Sequence, residues 1–367
     1  PWNLWAYSTS WMNEILQIVN LIGFYSYNLL VINFFVLPAI IFFKISIPKK
    51  IFSLALTFII ILSLYIFGNY EINKNNQFLN AINKKVYVKV VSPNFNLEYG
   101  LNQQEIKSRL MRLIKYSEPN KEKKTLFIWP EGVFSGYSYK ETLLFKKLIT
   151  NNFSNQHFII FGTNTEDAVS GDFYNSMLIA NNNFEIVQSY NKRKLVPFGE
   201  FLPFENLFKL FGLKKITEGH GSFLKGNKNN NLLINDLSIL PLICYEIIFT
   251  ELIQKSNLDT NLIINISEDG WFGQSIGPKQ HFTHSIFRAI ENGKYVIRSS
   301  NNGIAAVVNP LGEVEQKINF RDDGYIDFDK RKDIDKTIFS LYGNKIFIIL
   351  ILLYIFLIFS FNRIKNE

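Results

Sequence analysis

The chain predicts an α/β domain held between apolar, membrane-length helices, and three observations point that way. From residue 85 onward, short β-branched runs alternate with stretches of helical apolar spacing. Before and after that region lie long runs without a charge. Across all 367 residues, 47% are hydrophobic and only 19% charged, below the roughly 25% of ordinary soluble domains. A chain this apolar buries enough surface to offset its ordering entropy, which excludes intrinsic disorder. The single cysteine excludes an intrachain disulfide framework and any Cys-rich metal or iron–sulfur site. The net charge of +8 comes from scattered lysines and from lysines flanking apolar runs. No basic block is interleaved with aromatics, so no nucleic-acid partner is expected.

Residues 1–68 are expected to form a membrane region with two spanning helices, at about 21–43 and 51–68. The run from Ile51 to Gly68 holds eighteen uncharged residues, roughly 27 Å of helix and close to the bilayer's hydrocarbon thickness. The segment at 21–43 carries Asn28, Asn33 and Pro38 but no charge. A third span is expected at 346–361, inside a C-terminal unit of residues 341–367 that ends in a short cytoplasmic tail. A buried core helix is the alternative for each. Lys44, Lys49 and Lys50 crowd the connection between the first two spans, and Arg363 and Lys365 follow the last. Placing these lysines and Arg363 in the cytoplasm sends residues 69–340 to the outer side. Lys345 then lies on the wrong side, where it can snorkel. The chain opens at Pro1, with no basic stretch or cleavage site ahead of an apolar run, which predicts a true start upstream.

Strands are expected at Val86–Val91, Thr125–Trp129, Phe158–Gly162, Ser176–Ala180, Leu237–Ile243, Leu262–Ile266, Tyr295–Ser299 and Ile304–Val308. Between them, Gln103–Tyr116, Tyr139–Thr150, Ile247–Ser256 and Lys279–Glu291 have helical spacing. The stretch Phe201–Asn230 mixes Phe and Leu with Lys and Gly without a period, and reads as a long loop of the kind that forms lids.

Catalytic groups of α/β sheets tend to sit just past the carboxyl ends of strands. Three residues fit. Glu131 follows an apolar strand and Pro130; a carboxylate in such surroundings has a raised pKa and suits a general base, although an exposed turn glutamate reads the same way. Lys192 belongs to the run Lys192-Arg193-Lys194, which is equally a solvated or headgroup-facing basic patch. Cys244 ends a strand that leads into a predicted helix. There the helix dipole would favour the thiolate, but an inert buried thiol is the alternative. Of His157, His220, His281 and His284, only His281 and His284 share a helical spacing, and no third metal ligand is evident. No phosphate-binding glycine loop or serine elbow is present.

Glutamate, lysine and cysteine, in that order and each after a strand, resemble the nitrilase (carbon–nitrogen hydrolase) superfamily. The flanks narrow this. Trp129-Pro130-Glu131, the run Tyr190 to Glu200 (YNKRKLVPFGE), Cys244-Tyr245-Glu246, the run Asn265 to Gly273 (NISEDGWFG) and the run Arg298 to Gly303 (RSSNNG) are similar to the apolipoprotein N-acyltransferases, a membrane branch of that superfamily. The resemblance covers essentially the whole chain. It implies an α-β-β-α sandwich for 69–340, Glu131 as base, Lys192 as electrostatic stabiliser and Cys244 as nucleophile. Glu200, Tyr245, Glu246 and Asn175 match supporting or substrate-binding positions. Two departures stand out: Glu268 where the family usually has Asn, and Gly132-Val133 after the glutamate where small polar residues are common.

The implied activity transfers a fatty acyl chain from a membrane phospholipid, through a Cys244 thioester, to the α-amine of a lipid-modified N-terminal cysteine on an apolipoprotein. It requires no metal or other cofactor. A monomer in the bacterial inner membrane is expected, with its catalytic domain on the periplasmic side. The apolar residues Phe201, Leu202, Phe204, Leu207, Phe208, Phe211, Leu213 and Phe223 are expected either to dip into the interface as a lid or to pack on the domain. A membrane-tethered amidase with the same three residues, and a non-catalytic membrane scaffold, are the rival readings.

Overall fold

The β-branched runs pair into two six-stranded sheets. The computed structural model describes residues 2–79, 84–134, 136–204, 222–227, 231–234, 236–254 and 260–366. Its strands are β1 (Lys84–Ser92), β2 (Thr125–Ile128), β3 (His157–Glu166), β4 (Phe173–Asn181), β5 (Ile186–Asn191) and β6 (Leu232–Ile234) in the first half. The second half adds β7 (Leu237–Ile243), β8 (Leu262–Glu268), β9 (Tyr295–Asn301), β10 (Ala305–Val308), β11 (Val314–Ile318) and β12 (Gly324–Arg331). One sheet has the order β12-β1-β2-β3-β4-β5 and the other β11-β10-β9-β8-β7-β6. Strands β1–β2–β3 and β7–β8–β9 run parallel. Parallel strands covered on both faces need continuous apolar sequence, which is why β2, β7 and β8 read so clearly.

The sheets stack face to face. Val88, Val90, Ile128, Ile160 and Ile179 of the first meet Ile239, Ile243, Ile264, Ile266, Ile297 and Val307 of the second. The outer face of the first sheet, with Phe127, Trp129, Ile159 and Phe161, is covered by Ile106, Leu110 and Leu113 of a helix at Gln103–Ser117 and by Ile149. That helix opens with a reciprocal cap, Asn102 receiving the Glu105 N–H and Glu105 receiving the Asn102 N–H. The outer face of the second sheet, with Leu240, Leu242, Ile263 and Val296, lies under Phe287, Ala289 and Ile290 of a helix at Gly277–Asn292. The layers are therefore α-β-β-α.

Three apolar helices complete the described chain. In order with the two above, the long helices are α1 (Val19–Val36), α2 (Ile47–Leu79), α3 (Gln103–Ser117), α4 (Gly277–Asn292) and α5 (Lys345–Asn366). By length and composition, Val19–Phe42 and Ile47–Gln77 suffice to cross a membrane, and Lys345–Ser360 is a shorter apolar helix. Helix α2 runs beyond Gly68 because the polar residues that follow, Asn69 to Gln77, keep their helical hydrogen bonding. It exposes Ile51, Phe52, Phe58 and Ile59, while α5 exposes Ile349, Leu352, Phe356 and Phe359. Helix α1 instead packs Val19, Phe24 and Tyr27 onto α4. It breaks at Gly23 (φ 74°, ψ 169°), a conformation that suits glycine. The Phe24 N–H freed there donates to Glu291 Oε1 of α4 at 2.7 Å. Glu291 is in turn paired with Arg288, Nε to Oε2 at 2.8 Å. The α-β-β-α layers are thus pinned to α1 by a buried carboxylate.

Four strands have no counterpart among the sequence expectations. Strands β5, β11 and β12 are edge or near-edge strands with exposed, polar outer faces, and β6 has three residues. None presents a continuous apolar run. The helix expected at Ile247–Ser256 is a 3₁₀ turn at Cys244–Ile248 and a short helix at Thr250–Gln254, divided by extended Phe249. The helix expected at Tyr139–Thr150 is likewise split by a 3₁₀ turn at Leu143–Phe145.

Candidate active site

Each of the three predicted residues follows a strand, and the sheets bring all three to one cavity of about 560 Å³. Glu131 sits beyond β2, where the Trp129 N–H still bonds the Ile160 carbonyl at 2.8 Å and Pro130 ends the pairing. Its Oε1 receives Asn175 Nδ2 at 2.8 Å and its Oε2 receives the Glu268 N–H at 3.0 Å. Lys192 follows β5, its side chain only 1% exposed. Its ammonium donates to Glu200 Oε1 at 2.9 Å and stands 3.7 Å from Glu131 Oε1. Asn175 on β4 bridges the two acids, since Nδ2 also donates to Glu200 Oε1 at 2.8 Å. Glu200 closes its own loop by accepting the Val196 N–H at 2.9 Å.

Cys244 comes from the opposing sheet, at the end of β7. Its φ of +49° is unusual for a residue with a side chain and gives the strand end a sharp turn. The turn is held from below by Glu246, which is completely buried. Glu246 accepts the Ile243 N–H at 2.9 Å on the nucleophile side. It also accepts the Tyr190 hydroxyl at 2.9 Å and the Arg193 and Lys194 N–H groups at 2.7 and 3.1 Å on the lysine side. One carboxylate therefore fixes Cys244 and Lys192 relative to each other. Tyr245, half-buried, lines the cavity and packs edge-on against Phe249.

The electrostatics follow from burial. Burial pushes the Glu131 carboxyl above its usual range, opposed by Lys192 and reinforced by Glu200. Burial works against the Lys192 charge, but the Glu200 and Glu131 carboxylates outweigh it and hold the ammonium above its ordinary value. Burial, then the Glu131 charge, pushes the Cys244 thiol up well above its ordinary value, with Lys192 pulling back. This corrects the expectation that a helix terminus would favour the thiolate. The turn at Cys244 is a five-residue 3₁₀ segment, and its weak dipole is overridden by desolvation and the neighbouring acid.

Behind Cys244 lies a network that sequence reading assigned no role. Asp269 receives Arg298 Nη2 at 3.0 and 2.7 Å and the Ser267 hydroxyl at 2.7 Å, and lies 2.8 Å from His281 Nδ1. His281 Nε2 stands 3.2 Å from the Cys244 carbonyl. Asn265 Nδ2 donates to the Leu242 carbonyl at 3.0 Å, and Asn265 also pairs with Arg298. Burial raises Asp269, but Arg298 and His281 outweigh it and hold the carboxyl below its usual range. His284, weighed with His281 as a metal pair, turns instead to the Tyr7 hydroxyl, 2.6 Å from Nδ1. The signal for this network was present in Asp269-Gly270-Trp271, but its partners at 281 and 298 are far away in sequence.

The two departures touch each other. A Cβ at Gly132 would lie 2.9 Å from Glu268 Oε2, so the longer acid occupies the space that a side chain at 132 would take. Glu268 also receives Asn301 Nδ2 at 2.6 Å and the Gly270 N–H at 2.8 Å, and burial pushes its carboxyl up to about 8. The cavity wall is otherwise largely apolar and aromatic, with Trp2, Tyr99, Phe134, Phe223 and Trp271. Of the predicted lid, Phe223 lines the cavity, Leu202 is buried and Phe204 is exposed. Leu207, Phe208, Phe211 and Leu213 lie outside the described residues, as does His220.

The profile of the carbon–nitrogen hydrolase family matches residues 98–329. An apolipoprotein N-acyltransferase of Rickettsia prowazekii (strain Madrid E) is 33% identical over 372 residues, covering 100% of this chain and 73% of that protein. The chain belongs to the apolipoprotein N-acyltransferase family. The namesake protein of Rickettsia bellii (strain RML369-C) is 34% identical, covering 100% of this chain and 72% of its own. That of Rhodopseudomonas palustris is 27% identical over 94% of this chain and 66% of its own. Among solved structures, a CN-hydrolase superfamily protein from Xanthomonas campestris superposes with a TM-score of 0.49 at 16% identity, covering 67% of this chain and 91% of that one. Within this family the nitrilase-like α/β sandwich is expected, and four of the five motifs that carried the resemblance contribute residues to the cavity wall, while the fifth, Arg298 to Gly303, lies behind it through the Arg298–Asp269 pair.

Proposed function

We propose that this protein is an acyltransferase that moves a fatty acyl chain from a membrane phospholipid, by way of a Cys244 thioester, to the α-amine of a lipid-modified N-terminal cysteine on an apolipoprotein. The single observation that carries the reading is the convergence of Glu131, Lys192 and Cys244, from opposing sheets, on one largely apolar cavity. The relatives named apolipoprotein N-acyltransferase supply the substrate class.

In this mechanism Glu131 takes the Cys244 proton as the sulfur attacks the donor's ester carbonyl. Burial raises both the Glu131 carboxyl and the thiol, and Glu131, held beside Lys192, is the proton acceptor the site offers. Lys192, held charged by its two acids, stabilises the oxyanion of the tetrahedral intermediate. As the intermediate collapses, the C–O bond breaks, the lysophospholipid leaves as an alcohol with the proton Glu131 had taken, and a thioester remains. The acceptor amine then attacks the thioester, giving an amide and restoring the thiol, so the kinetics are ping-pong. Glu200 and Asn175 keep Glu131 and Lys192 in register, Glu246 ties Lys192 to Cys244, and Tyr245 lines the acyl path.

Both substrates are lipid-anchored, which gives the apolar helices their purpose. In this reading α1, α2 and α5 cross the bacterial inner membrane, residues 69–340 form the catalytic domain on the periplasmic side, and the protein acts as a monomer. Tethering at both ends raises the effective concentration of enzyme over substrate.

The test is the intact mass of the detergent-solubilised protein after incubation with phospholipid. A gain of one fatty acyl group, released by neutral hydroxylamine and absent in Cys244→Ala, is the expected result. Absence of the adduct together with hydrolysis of simple amides would replace this reading with the tethered amidase.

A further inference from the structure

We infer that Arg288 is a positioning residue for the nucleophile, holding the far end of the Cys244–Ile248 turn from a socket that helix α1 completes through Glu291. The inference goes beyond the proposed function by tying an apolar helix outside the α-β-β-α layers to the reacting turn. It rests on Cys244 being the reacting group.

The turn needs a hold at each end. Its front is fixed by Glu246, which accepts the Ile243 N–H at 2.9 Å, and by His281, whose Nε2 lies 3.2 Å from the Cys244 carbonyl. The carbonyls that close a helical turn lack partners inside it. Ile248, the last residue of the turn, is buried, so its carbonyl needs a donor from the protein. Arg288 Nη1 of α4 supplies one at 3.4 Å. The chain then passes through extended Phe249 to a short helix that starts at Thr250, whose Oγ1 receives Asn344 Nδ2 at 2.8 Å. Asn344 immediately precedes α5, so a second apolar helix secures the segment that follows the turn.

Arg288 is completely buried, and a buried guanidinium is costly unless its charge is paired. Glu291, one turn along α4, is the counter-charge, with Oε2 2.8 Å from Nε. The Phe24 ring of α1 lies 5.4 Å from the guanidinium carbon. The Phe24 N–H freed at the Gly23 break donates to Glu291 Oε1 at 2.7 Å. Glu291 and Phe24 therefore fix the guanidinium, and among the described residues its one hydrogen bond goes to Ile248. The path runs from Phe24 to Glu291, from Glu291 to Arg288 and from Arg288 to the turn. Cys244 follows a strand of one sheet, while Glu131 and Lys192 follow strands of the other. A shift of the turn therefore changes the distance from the sulfur to both. Misplacing a reacting group by about 1 Å can cost about 10²-fold.

The experiment separates the charge from the hydrogen bond. Arg288→Lys keeps a cation for Glu291, but its compact ammonium lacks the second arm that reaches Ile248. Arg288→Met loses both. The full chain in detergent is mixed with p-nitrophenyl butyrate, and the burst of p-nitrophenolate gives the acylation rate across ester concentrations. Both variants are expected to acylate about tenfold more slowly at saturating ester, with the half-saturating concentration unchanged. Only Arg288→Met is expected to melt well below wild type. Leu110→Ala, in α3 on the opposite outer face, is the control: a destabilised core variant expected to acylate at the wild-type rate. A wild-type rate in Arg288→Lys, or rates that follow melting temperature alone across the three variants, would overturn the inference. The ester reports on the cysteine whatever the natural donor. A wild type that bursts with it but gains no acyl group from phospholipid would therefore sink the proposed function and leave this test readable. A Cys244→Ala protein that still bursts would remove Cys244 as the reacting group, and the inference with it.

Discussion

The site is made of two unlike halves. The first sheet contributes Glu131, Asn175, Lys192 and Glu200, a cation between two carboxylates whose side chains are each 12% exposed to the cavity. The second sheet contributes Cys244, 8% exposed, and behind it Asp269 and Arg298, which with His281 of α4 are completely buried, the Asp269–Arg298 charges cancelling. A group that must change charge during a reaction needs contact with the place where substrate charge develops. A group that must hold a backbone conformation needs neutrality and complete burial instead. In the proposed mechanism the first half changes charge while the second stays fixed, and Glu246 joins them.

Breaking the titrating half is expected to cost the most activity. Glu131→Gln preserves shape but removes the proton acceptor, and should slow acyl-enzyme formation by about 10³-fold or more, with the melting temperature held or raised. Lys192→Met should cost about 10²–10³-fold. It also leaves Glu131 and Glu200 facing each other without a cation, so one of them must take up a proton. The rate of hydroxylamine-labile mass gain measures both. Equal rates for Glu131→Gln and wild type would remove Glu131 from the chemistry.

Breaking the fixed half should reverse the pattern. Asp269→Asn leaves Arg298 buried without its counter-charge, and removing one member of a buried ion pair costs about 3–5 kcal/mol. Thermal unfolding in detergent reads that loss. A variant that melts like wild type yet has lost its acyl adduct would place Asp269 with the titrating groups. Glu246→Gln lies between the two cases. It keeps an oxygen for part of its hydrogen-bond set but turns a donor toward N–H groups that need an acceptor, a loss of about 1–3 kcal/mol. Its effect on thioester formation should exceed that of an equally destabilising core variant.

The unequal legibility of the two halves has a physical cause. Glu131, Lys192 and Cys244 stand at strand ends, and the strands before Glu131 and Cys244 are buried apolar runs that sequence alone displays. The sandwich core was legible for the same reason. Strands β5, β11 and β12 were not, since an edge strand with a polar outer face has no continuous apolar run to reveal it. The Asp269–His281–Arg298 network joins residues from three elements, and nothing local to His281 distinguishes a backbone-holding histidine from a metal ligand. Its spacing to His284 allowed the latter, although no third ligand was evident. The raised thiol was equally hidden, because a strand–turn boundary shows the helix terminus but not the burial that overrides it.

Glu268 lies on the seam between the halves and gives the finest test of the comparison. Its backbone N–H donates to Glu131, while its carboxyl accepts from Asn301 Nδ2, Asn302 Nδ2 and the Gly270 N–H, all neutral donors. Burial lifts that carboxyl from 4.5 to about 8. The folded protein therefore keeps a proton that the unfolded chain releases above 4.5, and wild-type stability falls as pH rises through that window, by an amount on the order of a few kcal/mol. Glu268→Gln is neutral at every pH. It turns an amide donor toward Asn301 Nδ2 and so should be less stable than wild type near pH 5, by about 1 kcal/mol. Between pH 5 and 8 the wild type loses stability that the variant keeps, so the difference in melting temperature should shrink and then change sign. Parallel curves across that range would mean that Glu268 is already ionised in the folded protein, which would place it with the charged half of the site as a third carboxylate, next to Glu131.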